Sequence, residues 1–330
     1  MRHFDFLTRA ALLAHCGKRY RLDDALSTDH EDDAEVYGQQ LQVVDNWEQL
    51  KDVEANYVIL GIPEDIGVRA NMGRPGADAS WDEFLRSFVN LQHTNINDAS
   101  RFTIAGTVHL DDLMKKAALL DAGIHKDRME LSEMVKEIDF RVSEAILKII
   151  KHNKIPIVIG GGHNNCYPII KSFEKIDVIN IDAHTDLRVA NGRHSGNGFS
   201  HALKDGKLNR YFMIGLQSNY LSQPMLDLMN SNDQLNFGLL ENDIEEQINR
   251  AQHHIDVTNY GLEIDMDVVA GFPSSAQSPV GYSFKELREI VTCLNGNQIP
   301  KYIHICEAAP QYGYKNQVGK ALATLVNDLK

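Results

Sequence analysis

The chain has 330 residues, of which 43% are apolar and 24% charged, a composition typical of a globular protein with a large core. Its 33 Lys and Arg against 46 Asp and Glu give a net charge of −13, which argues against a nucleic-acid or anionic-membrane partner, because both are bound through basic patches. No apolar run approaches the ~18 residues of a membrane-spanning helix. The four scattered cysteines predict reduced thiols in a cytoplasmic protein.

In chain order, the first 55 residues are mixed in character, and we predict an N-terminal extension (1–55) packed on or near a single domain of residues 56–330. Strand-like apolar runs occur at 57–63, 101–110, 155–165, 178–181, 211–219, 259–269 and 301–310. Helical patterns occur at 81–90, 124–153 and 284–294. Strands alternating with helices predict an α/β fold with a mostly parallel sheet covered on both faces, which binds ligands beyond the carboxyl ends of its strands.

The stretch VINIDAHTD (178–186) follows a buried strand with three polar side chains, Asp182, His184 and Asp186. Alternate residues of an extended chain point the same way, so we predict that these three face one point. Two carboxylates and an imidazole at one point favour a cation between them. The structural alternative is that Asp182 and Asp186 cap a following helix and that His184 is an ordinary loop residue.

Two other strand ends carry similar side chains. His163 follows three glycines directly after IPIVI, a turn that can bring its ring into a crowded site. A phosphate-binding loop is the weaker interpretation, because no GxxxxGK[ST] pattern is present. Asp265 and Asp267 alternate within GLEIDMDVV, where burial without a counter-charge would be costly. A purely structural interpretation would require both to reach solvent.

Together these stretches supply more ligands than one tetrahedral zinc needs. A carboxylate-rich, thiolate-free set with two imidazoles suits two Mn²⁺-like ions, with one histidine on each. Two such ions ~3.5–4 Å apart can share a water and present hydroxide at neutral pH, so hydrolysis is the expected reaction. The predicted metal ligands are His163, Asp182, His184, Asp186, Asp265 and Asp267.

At this point a family resemblance emerges. GGGH, DAHTD and the DMD pair resemble the three metal motifs of the ureohydrolase family, which includes arginase, agmatinase and formimidoylglutamase. GIPEDIGVRANMGRPGA resembles its first strand and glycine-rich loop, and CEAAP resembles its late Glu-x-x-Pro element, so the similarity covers roughly residues 57 to 325. The resemblance implies an arginase-like three-layer αβα domain, two Mn²⁺ per chain, and attack of a bridging hydroxide on a guanidinium or amidine carbon. It also suggests a homo-oligomer, a trimer or hexamer.

The same resemblance implies catalytic roles. Asp186 would orient the hydroxide and later pass its proton, and Glu307 would pair with the guanidinium or formimino group of the substrate. The alternative for Glu307 is a surface carboxylate. The family's proton-shuttle position falls in RHSGNGFSHAL (193–203), where the spacing departs from that of arginase, so His194 and His201 are both candidates, and either could be a loop histidine without a task. Ser195 and Asn197 of this stretch are predicted substrate contacts.

Arg188 and Arg193 favour one substrate within the family. An arginine presents a planar fork suited to a carboxylate, and two arginines follow the metal motif. Agmatine has no carboxylate, arginine has one and formimidoylglutamate has two. We therefore predict hydrolysis of N-formimidoyl-L-glutamate to glutamate and formamide. The alternative for both arginines is a surface salt bridge or a subunit contact, and the segment 270–283 is predicted to line the site.

Three other functions stay open from the sequence. An arginase- or agmatinase-type enzyme would release urea. A deacetylase on the same general fold would use a single zinc with fewer ligands. A catalytically silent relative would keep the fold for a structural or regulatory role, although six clustered ligand residues argue against that.

Overall fold

The structure is a computed structural model that describes residues 3–17 and 35–330. Its strands are β1 (Phe4–Phe6), β2 (Gln42–Val43), β3 (Tyr57–Gly61), β4 (Phe102–Val108), β5 (Ile155–Ile159), β6 (Ile176–Ile181), β7 (Leu208–Leu216), β8 (Leu235–Leu239), β9 (Tyr260–Asp265) and β10 (Tyr302–Cys306). Its α-helices are α1 (Arg9–Ala14), α2 (Tyr37–Gln40), α3 (Ile66–Ala70), α4 (Ser80–Phe88), α5 (Asp111–Ala117), α6 (His125–Lys151), α7 (Cys166–Lys171), α8 (Gly198–Lys204), α9 (Gln223–Ser231), α10 (Ile244–His254), α11 (Phe284–Asn297) and α12 (Gln317–Asn327).

The described strands form one ten-stranded sheet with the order β1-β4-β3-β5-β10-β9-β6-β7-β8, and β2 pairs with β4 beside this path. All pairs are parallel except β1 with β4, which is antiparallel. Strands such as IPIVI are almost continuously apolar because a parallel sheet is buried on both faces. The predicted mostly parallel sheet is confirmed.

Alternate strand residues point into two separate cores, one on each face of the sheet. Ile59, Ile157 and Ile303 lie in one core, which helices α4, α10, α11 and α12 cover. Val58 and Val158 lie in the other core, which helices α3 and α5 to α9 cover. The domain therefore has three layers, helices on a sheet on helices, as the family resemblance implies.

The longest helix, α6, shows how the sequence produces these layers. Apolar side chains recur every three to four residues and are fully buried against the second core: Leu131, Val135, Ile138, Val142, Ile146 and Ile149. Burial of each such side chain contributes about 1.5–3 kcal/mol. The helical stripe predicted over 124–153 is thus present, and it attaches α6 to the sheet. In the described part of the chain, no helix is both long and apolar enough to cross a membrane.

The described part of the first 55 residues contributes two strands to the same sheet. Both β1 and β2 hydrogen-bond to β4, and the rings of Phe4 and Trp47 pack with centroids 4.5 Å apart. Residues 18–34 of the predicted extension lie outside the described residues.

Four neighbouring strands in the middle of the sheet, β5, β10, β9 and β6, end at the same edge. The chain leaves β5 and returns in β6, with β10 and β9 lying between them, so the direction of winding changes here. Such a switch point opens a crevice at the carboxyl ends of the strands, which is where ligands bind in open α/β sheets.

Candidate metal centre

A glycine turn brings His163 to the edge of the sheet. Gly160 and Gly161 have φ of 89° and 73°, a conformation that side chains with a Cβ rarely adopt. A Cβ on Gly161 would also lie 2.4 Å from the amide nitrogen of Asn165. The buried carboxylate of Glu64 fixes the turn, because its Oε1 accepts hydrogen bonds from the Gly162 N–H at 3.1 Å and from the Asn165 amide at 2.7 Å.

The six side chains predicted as metal ligands meet in two adjacent clusters. In the inner cluster, Nδ1 of His163 lies 3.3 Å from Oδ2 of Asp182, 2.9 Å from Oδ2 of Asp186 and 3.1 Å from Oδ2 of Asp265. In the outer cluster, Nδ1 of His184 lies 3.6 Å from Oδ1 of Asp182 and 3.6 Å from Oδ1 of Asp267. The ligand atoms within each cluster lie within 4.8 Å of one another. Asp182 belongs to both clusters.

The prediction that Asp182, His184 and Asp186 alternate along an extended chain is wrong. β6 ends at Ile181, and Asp186 has φ of 47°, in the left-handed region that is uncommon for residues other than glycine. Asp182 instead turns the chain with its own side chain, because its Oδ1 accepts a hydrogen bond from the His184 N–H at 2.7 Å. The three side chains converge through this loop, and the capping alternative does not apply because no helix follows directly.

Asp265 and Asp267 are arranged by the same kind of turn, in which an aspartate side chain accepts the N–H of the residue two positions later. β9 ends at Asp265, whose Oδ1 accepts the Asp267 N–H at 3.0 Å at the start of a short 3-10 turn. The other oxygen of Asp265 is left facing His163. Both aspartates are almost completely buried, so the interpretation that they reach solvent is wrong.

The electrostatics of the two clusters favour a cation. Burial raises the pKa of Asp186 and Asp265, and the neighbouring carboxylate of Asp182 raises both further. Burial alone would lower the pKa of His184, but Asp267 and Asp182 raise it to about 12. Burial first, and then repulsion between neighbouring carboxylates, disfavour the ionised aspartates, while the same carboxylates favour positive charge at His184. A cation in each cluster would relieve this repulsion.

Unpaired atoms test whether a metal would fit. Nδ1 of His163 and Oδ1 of Asp267 are buried and have no hydrogen-bond partner among the described residues. Such atoms are costly unless something else satisfies them, and both point into the clusters. The donors are imidazole nitrogens and carboxylate oxygens without a thiolate among the six, a set suited to Mn²⁺-like ions. The residues therefore fit a pair of such ions.

Glu307 lies at the end of β10, beside the inner cluster, and is only 3% exposed. Its φ of 62° is another left-handed conformation, which such residues adopt mostly where a site requires it. Oε1 accepts the His163 N–H at 2.7 Å, and Oε2 accepts the hydroxyl of Ser275. Burial and the nearby Asp267 raise the pKa of Glu307 to about 8, although Ser275 opposes this shift. Glu307 is therefore not a surface carboxylate, and Ser275 brings the segment 270–283 to its side.

Arg193 does not face a ligand, contrary to its predicted role in binding a substrate carboxylate. Its guanidinium is buried and donates to both oxygens of Asp139 at 2.8 and 2.9 Å, to Oδ1 of Asn197 and to the carbonyl of Asn164. It also lies over the ring of Tyr167 at 4.7 Å. The guanidinium thus makes four internal hydrogen bonds, and Arg193 attaches the loop after the metal motif to α6. The alternative of a surface salt bridge is wrong as well, because the pair is internal.

Arg188 is different. It is exposed, and its Nη1 donates to Oδ1 of Asn71 at 2.9 Å. The amide of Asn71 donates in turn to the hydroxyl of Ser195 at 3.1 Å. This chain of hydrogen bonds joins the end of α3 to the loop after the metal motif. Within the described residues, the guanidinium of Arg188 makes no other hydrogen bond.

The other candidate residues of 193–203 differ in whether their side chains make hydrogen bonds within the loop. Asn197 is completely buried, and its amide bonds four groups of its own loop, so the structure contradicts its predicted contact with substrate. The ring of His201 bonds the carbonyl of Gly192 at 2.8 Å. Within the residues that the structure describes, Nδ1 of His194 is buried without a hydrogen-bond partner. Burial, Arg188 and Arg193 lower the pKa of this histidine to about 4.

Sequence reasoning missed several residues that contact the metal ligands, among them Tyr220 and Glu263. Tyr220 stacks on the ring of His184 with centroids 4.7 Å apart. Glu263, two positions before Asp265 on β9, lies behind His163. The signal for Glu263 was a third acidic residue in register with the DMD pair in GLEIDMD.

Comparison with known proteins places this geometry in a family. The model of the arginase family matches residues 55–329. The chain belongs to the arginase family. Members of this family are hydrolases that act on C–N amidine bonds. The match includes both aspartate motifs, the glycine turn and Glu307.

The sequence identity between this chain and individual relatives is low. A formimidoylglutamase from Staphylococcus aureus (strain bovine RF122 / ET3-1) is 26% identical over 285 residues, which cover 82% of this chain and 84% of that protein. The crystal structure of Trypanosoma cruzi formiminoglutamase with Mn²⁺ has a TM-score of 0.69 at 19% identity and covers 90% of this chain and 98% of that one. Formimidoylglutamase from Bacillus subtilis subsp. subtilis str. 168 has a TM-score of 0.70 at 16% identity, with 93% and 94% covered. These structures share the fold.

Proposed function

We propose that this protein is a binuclear manganese hydrolase that cleaves a linear C–N bond of an amidine. The observation that carries the proposal is the pair of largely buried clusters joined by Asp182, with one histidine in each. Carboxylate-bridged pairs of cations are a recurrent arrangement in hydrolases. The solved Trypanosoma cruzi relative with Mn²⁺ supports manganese as the ion.

In this proposal the inner ion is held by His163, Asp182, Asp186 and Asp265, and the outer ion by His184, Asp182 and Asp267. Bound there, the two ions would lower the pKa of water and supply a nucleophile at neutral pH. Asp186 would orient the attacking oxygen and accept its proton. The buried setting of both clusters would strengthen every electrostatic contact made with the reacting carbon.

Glu307 would bind the amidinium or formimino nitrogens of the substrate. Both of its oxygens are already oriented by donors, His163 N–H and the Ser275 hydroxyl. Each oxygen keeps a further lone pair for a substrate N–H. His194, neutral at pH 7 because its pKa is lowered, would act as a proton acceptor in the reaction.

For the substrate we propose N-formimidoyl-L-glutamate, hydrolysed to glutamate and formamide. The names of the relatives support this choice, and Arg188 keeps part of its fork available for a carboxylate. Of the two arginines predicted to bind substrate carboxylates, only Arg188 is available, because Arg193 pairs with Asp139. The second candidate is therefore a urea-releasing enzyme that acts on arginine, which has a single carboxylate.

A substrate panel with added Mn²⁺ tests the proposal. Formimidoylglutamate, arginine, agmatine and guanidinobutyrate are each assayed for formamide or urea, with Asp186→Ala as the inactive control. Fastest turnover of formimidoylglutamate is expected. Fastest turnover of arginine or agmatine would replace the substrate assignment, and no turnover of any of the four would favour a silent relative. The predicted homo-oligomer stays a prediction that gel filtration of the same preparation can test.

A further inference from the structure

The ring of His163 is contacted on both of its nitrogens. Nδ1 faces the carboxylates of the inner cluster, and Nε2 lies 3.5 Å from Oε2 of Glu263 on the opposite side. His163 and Glu263 have no exposed surface. Nε2 is buried, and Glu263 is the carboxylate that faces it in the described part of the chain, while Sγ of Cys306 lies within 4.8 Å of a ring nitrogen of the same histidine.

Glu263 is itself held by the neighbouring strand. His304 pairs with Glu263 in the register of β9 and β10, and its Nδ1 lies 2.6 Å from Oε2. The hydroxyl of Tyr302 donates to Oε1 at 2.9 Å. The carboxylate therefore cannot swing away from His163 without breaking two buried hydrogen bonds.

The spacing on β9 explains why both contacts reach one ring. Glu263 and Asp265 are two residues apart, so they point to the same face of the strand. Asp265 contacts Nδ1 of His163 and Glu263 contacts Nε2. One strand thus supplies a carboxylate to each side of the same imidazole.

We propose that Glu263 is a positioning residue of the metal centre, which accepts the Nε2–H of His163 and so turns the Nδ1 lone pair toward the inner ion. A neutral imidazole can bind a metal through only one nitrogen, and the hydrogen bond on the other selects the tautomer and fixes the ring. A buried carboxylate is costly to keep, and this role accounts for its place behind a ligand. The proposal rests on the proposed function, because it presumes an ion in the inner cluster.

The test is the stepwise affinity of the whole protein for Mn²⁺, measured by calorimetry and by electron paramagnetic resonance of free Mn²⁺. Glu263→Gln keeps the size of the side chain and removes its charge. We expect the affinity of one ion to fall about 10–100-fold, as for other outer partners of metal-bound histidines, while the second ion stays within about threefold of the wild type.

The matched control is Asp177→Asn, another exchange of a buried carboxylate for an amide. Asp177 lies on β6 near its amino end, and its oxygens accept hydrogen bonds from Asn209 and from the N–H groups of Arg210 and Asp256. This variant should lose stability and keep both Mn²⁺ affinities. Equal weakening in both variants would mean that Glu263 is only structural, and that result overturns the proposal.

Three further outcomes are decisive. Wild-type affinity for both ions in Glu263→Gln overturns the proposal. If Glu263→Gln does not fold, His304→Gln, which removes the other partner of the same oxygen, must weaken one ion, and unchanged affinities there overturn it too. In the wild-type protein, histidine ¹⁵N resonances should show His163 as the Nε2–H tautomer, and an Nδ1–H tautomer contradicts the role. Failure of the wild type to bind Mn²⁺ at all would instead reject the proposed function.

Discussion

The two oxygens of Asp182 face two different histidines: Oδ2 lies 3.3 Å from Nδ1 of His163, and Oδ1 lies 3.6 Å from Nδ1 of His184. Asp182 is completely buried, and the amide of Asn180 donates to its Oδ2 at 2.9 Å. Its orientation is therefore fixed before any ion binds. Asp265 and Asp267, in contrast, each serve one cluster.

This arrangement predicts unequal losses of metal. Asp182→Ala should lower the Mn²⁺ content from two ions per chain to almost none, because both clusters lose an oxygen. Asp267→Ala should lower it to about one, since only the outer cluster is changed. Turnover should fall at least about 100-fold in both variants. Metal analysis after gel filtration measures the content, and an Asp182→Ala protein that keeps two ions would contradict the shared position.

Arg188 predicts a change in substrate affinity without a change in fold. If its fork binds a substrate carboxylate, Arg188→Ala removes a charged hydrogen bond of about 1.5–3 kcal/mol, and KM should rise by about 10–100-fold. The melting temperature should stay close to that of the wild type, because the side chain is exposed. Arg188→Lys is the matched control and should recover part of the loss. Unchanged KM in Arg188→Ala would exclude this residue from the substrate site.

For the buried pair of Arg193 and Asp139 we expect a loss of stability, in contrast to Arg188. Asp139→Ala leaves a buried guanidinium without its carboxylate, and the free energy of unfolding should fall by about 3–5 kcal/mol. Replacement of both partners by apolar residues, Asp139→Leu with Arg193→Met, should recover much of this, because no charge is then left unpaired. Urea denaturation of the three proteins measures the difference. Equal stability of wild type and Asp139→Ala would reject the structural role.

The two histidines of 193–203 should differ in the same way. His194→Ala should lower kcat by about 100-fold if its ring carries a proton in the reaction, with little change in Mn²⁺ content. His201→Ala removes the hydrogen bond to the Gly192 carbonyl and should cost only about 1 kcal/mol of stability. Steady-state kinetics and thermal unfolding separate the two effects. A larger kcat effect in His201→Ala would reverse the assignment.

Asp112 predicts a pH dependence of stability at some distance from the site. The guanidinium of Arg141 donates to both of its oxygens, at 2.6 and 2.9 Å, and lowers the pKa of Asp112 to about 2. A lowered carboxylate pKa stabilises the fold above the unfolded value of about 3.9, and this contribution is lost as the pH falls through the folded value. Asp112→Asn should therefore be less stable than the wild type above about pH 5, with the difference shrinking toward pH 2. The exposed neighbour in Asp111→Asn is the control and should show no such convergence.

The central strands were predictable because a parallel sheet buries both faces of each strand. IPIVI and VINI are apolar at nearly every position, and no other element of this length requires that. β1, β2 and β8 were not predicted. β1 and β2 have only three and two residues, and β8 (LNFGL) lies at the edge of the sheet, where three of its side chains stay half-exposed and the pattern is weaker.

The sequence was enough to predict which residues come together in the candidate site, because polar side chains at neighbouring strand ends share one edge of the sheet. The local conformation was not. Asp186 adopts a left-handed φ that no alternation rule describes, and Asp182 makes its own turn. The partner of Arg193 is 54 positions away on α6, so only the packing of that helix reveals that the fork is already engaged.

The two histidines of the centre differ in their access to solvent. The side chain of His163 has no exposed surface, whereas 30% of that of His184 is exposed beneath the ring of Tyr220. With two ions bound, the ion beside His184 should exchange with metal ions in solution much faster than the ion beside His163. Brief exposure of the manganese-loaded protein to Co²⁺ should therefore give a mixed-metal protein, with cobalt in the outer cluster and manganese in the inner cluster.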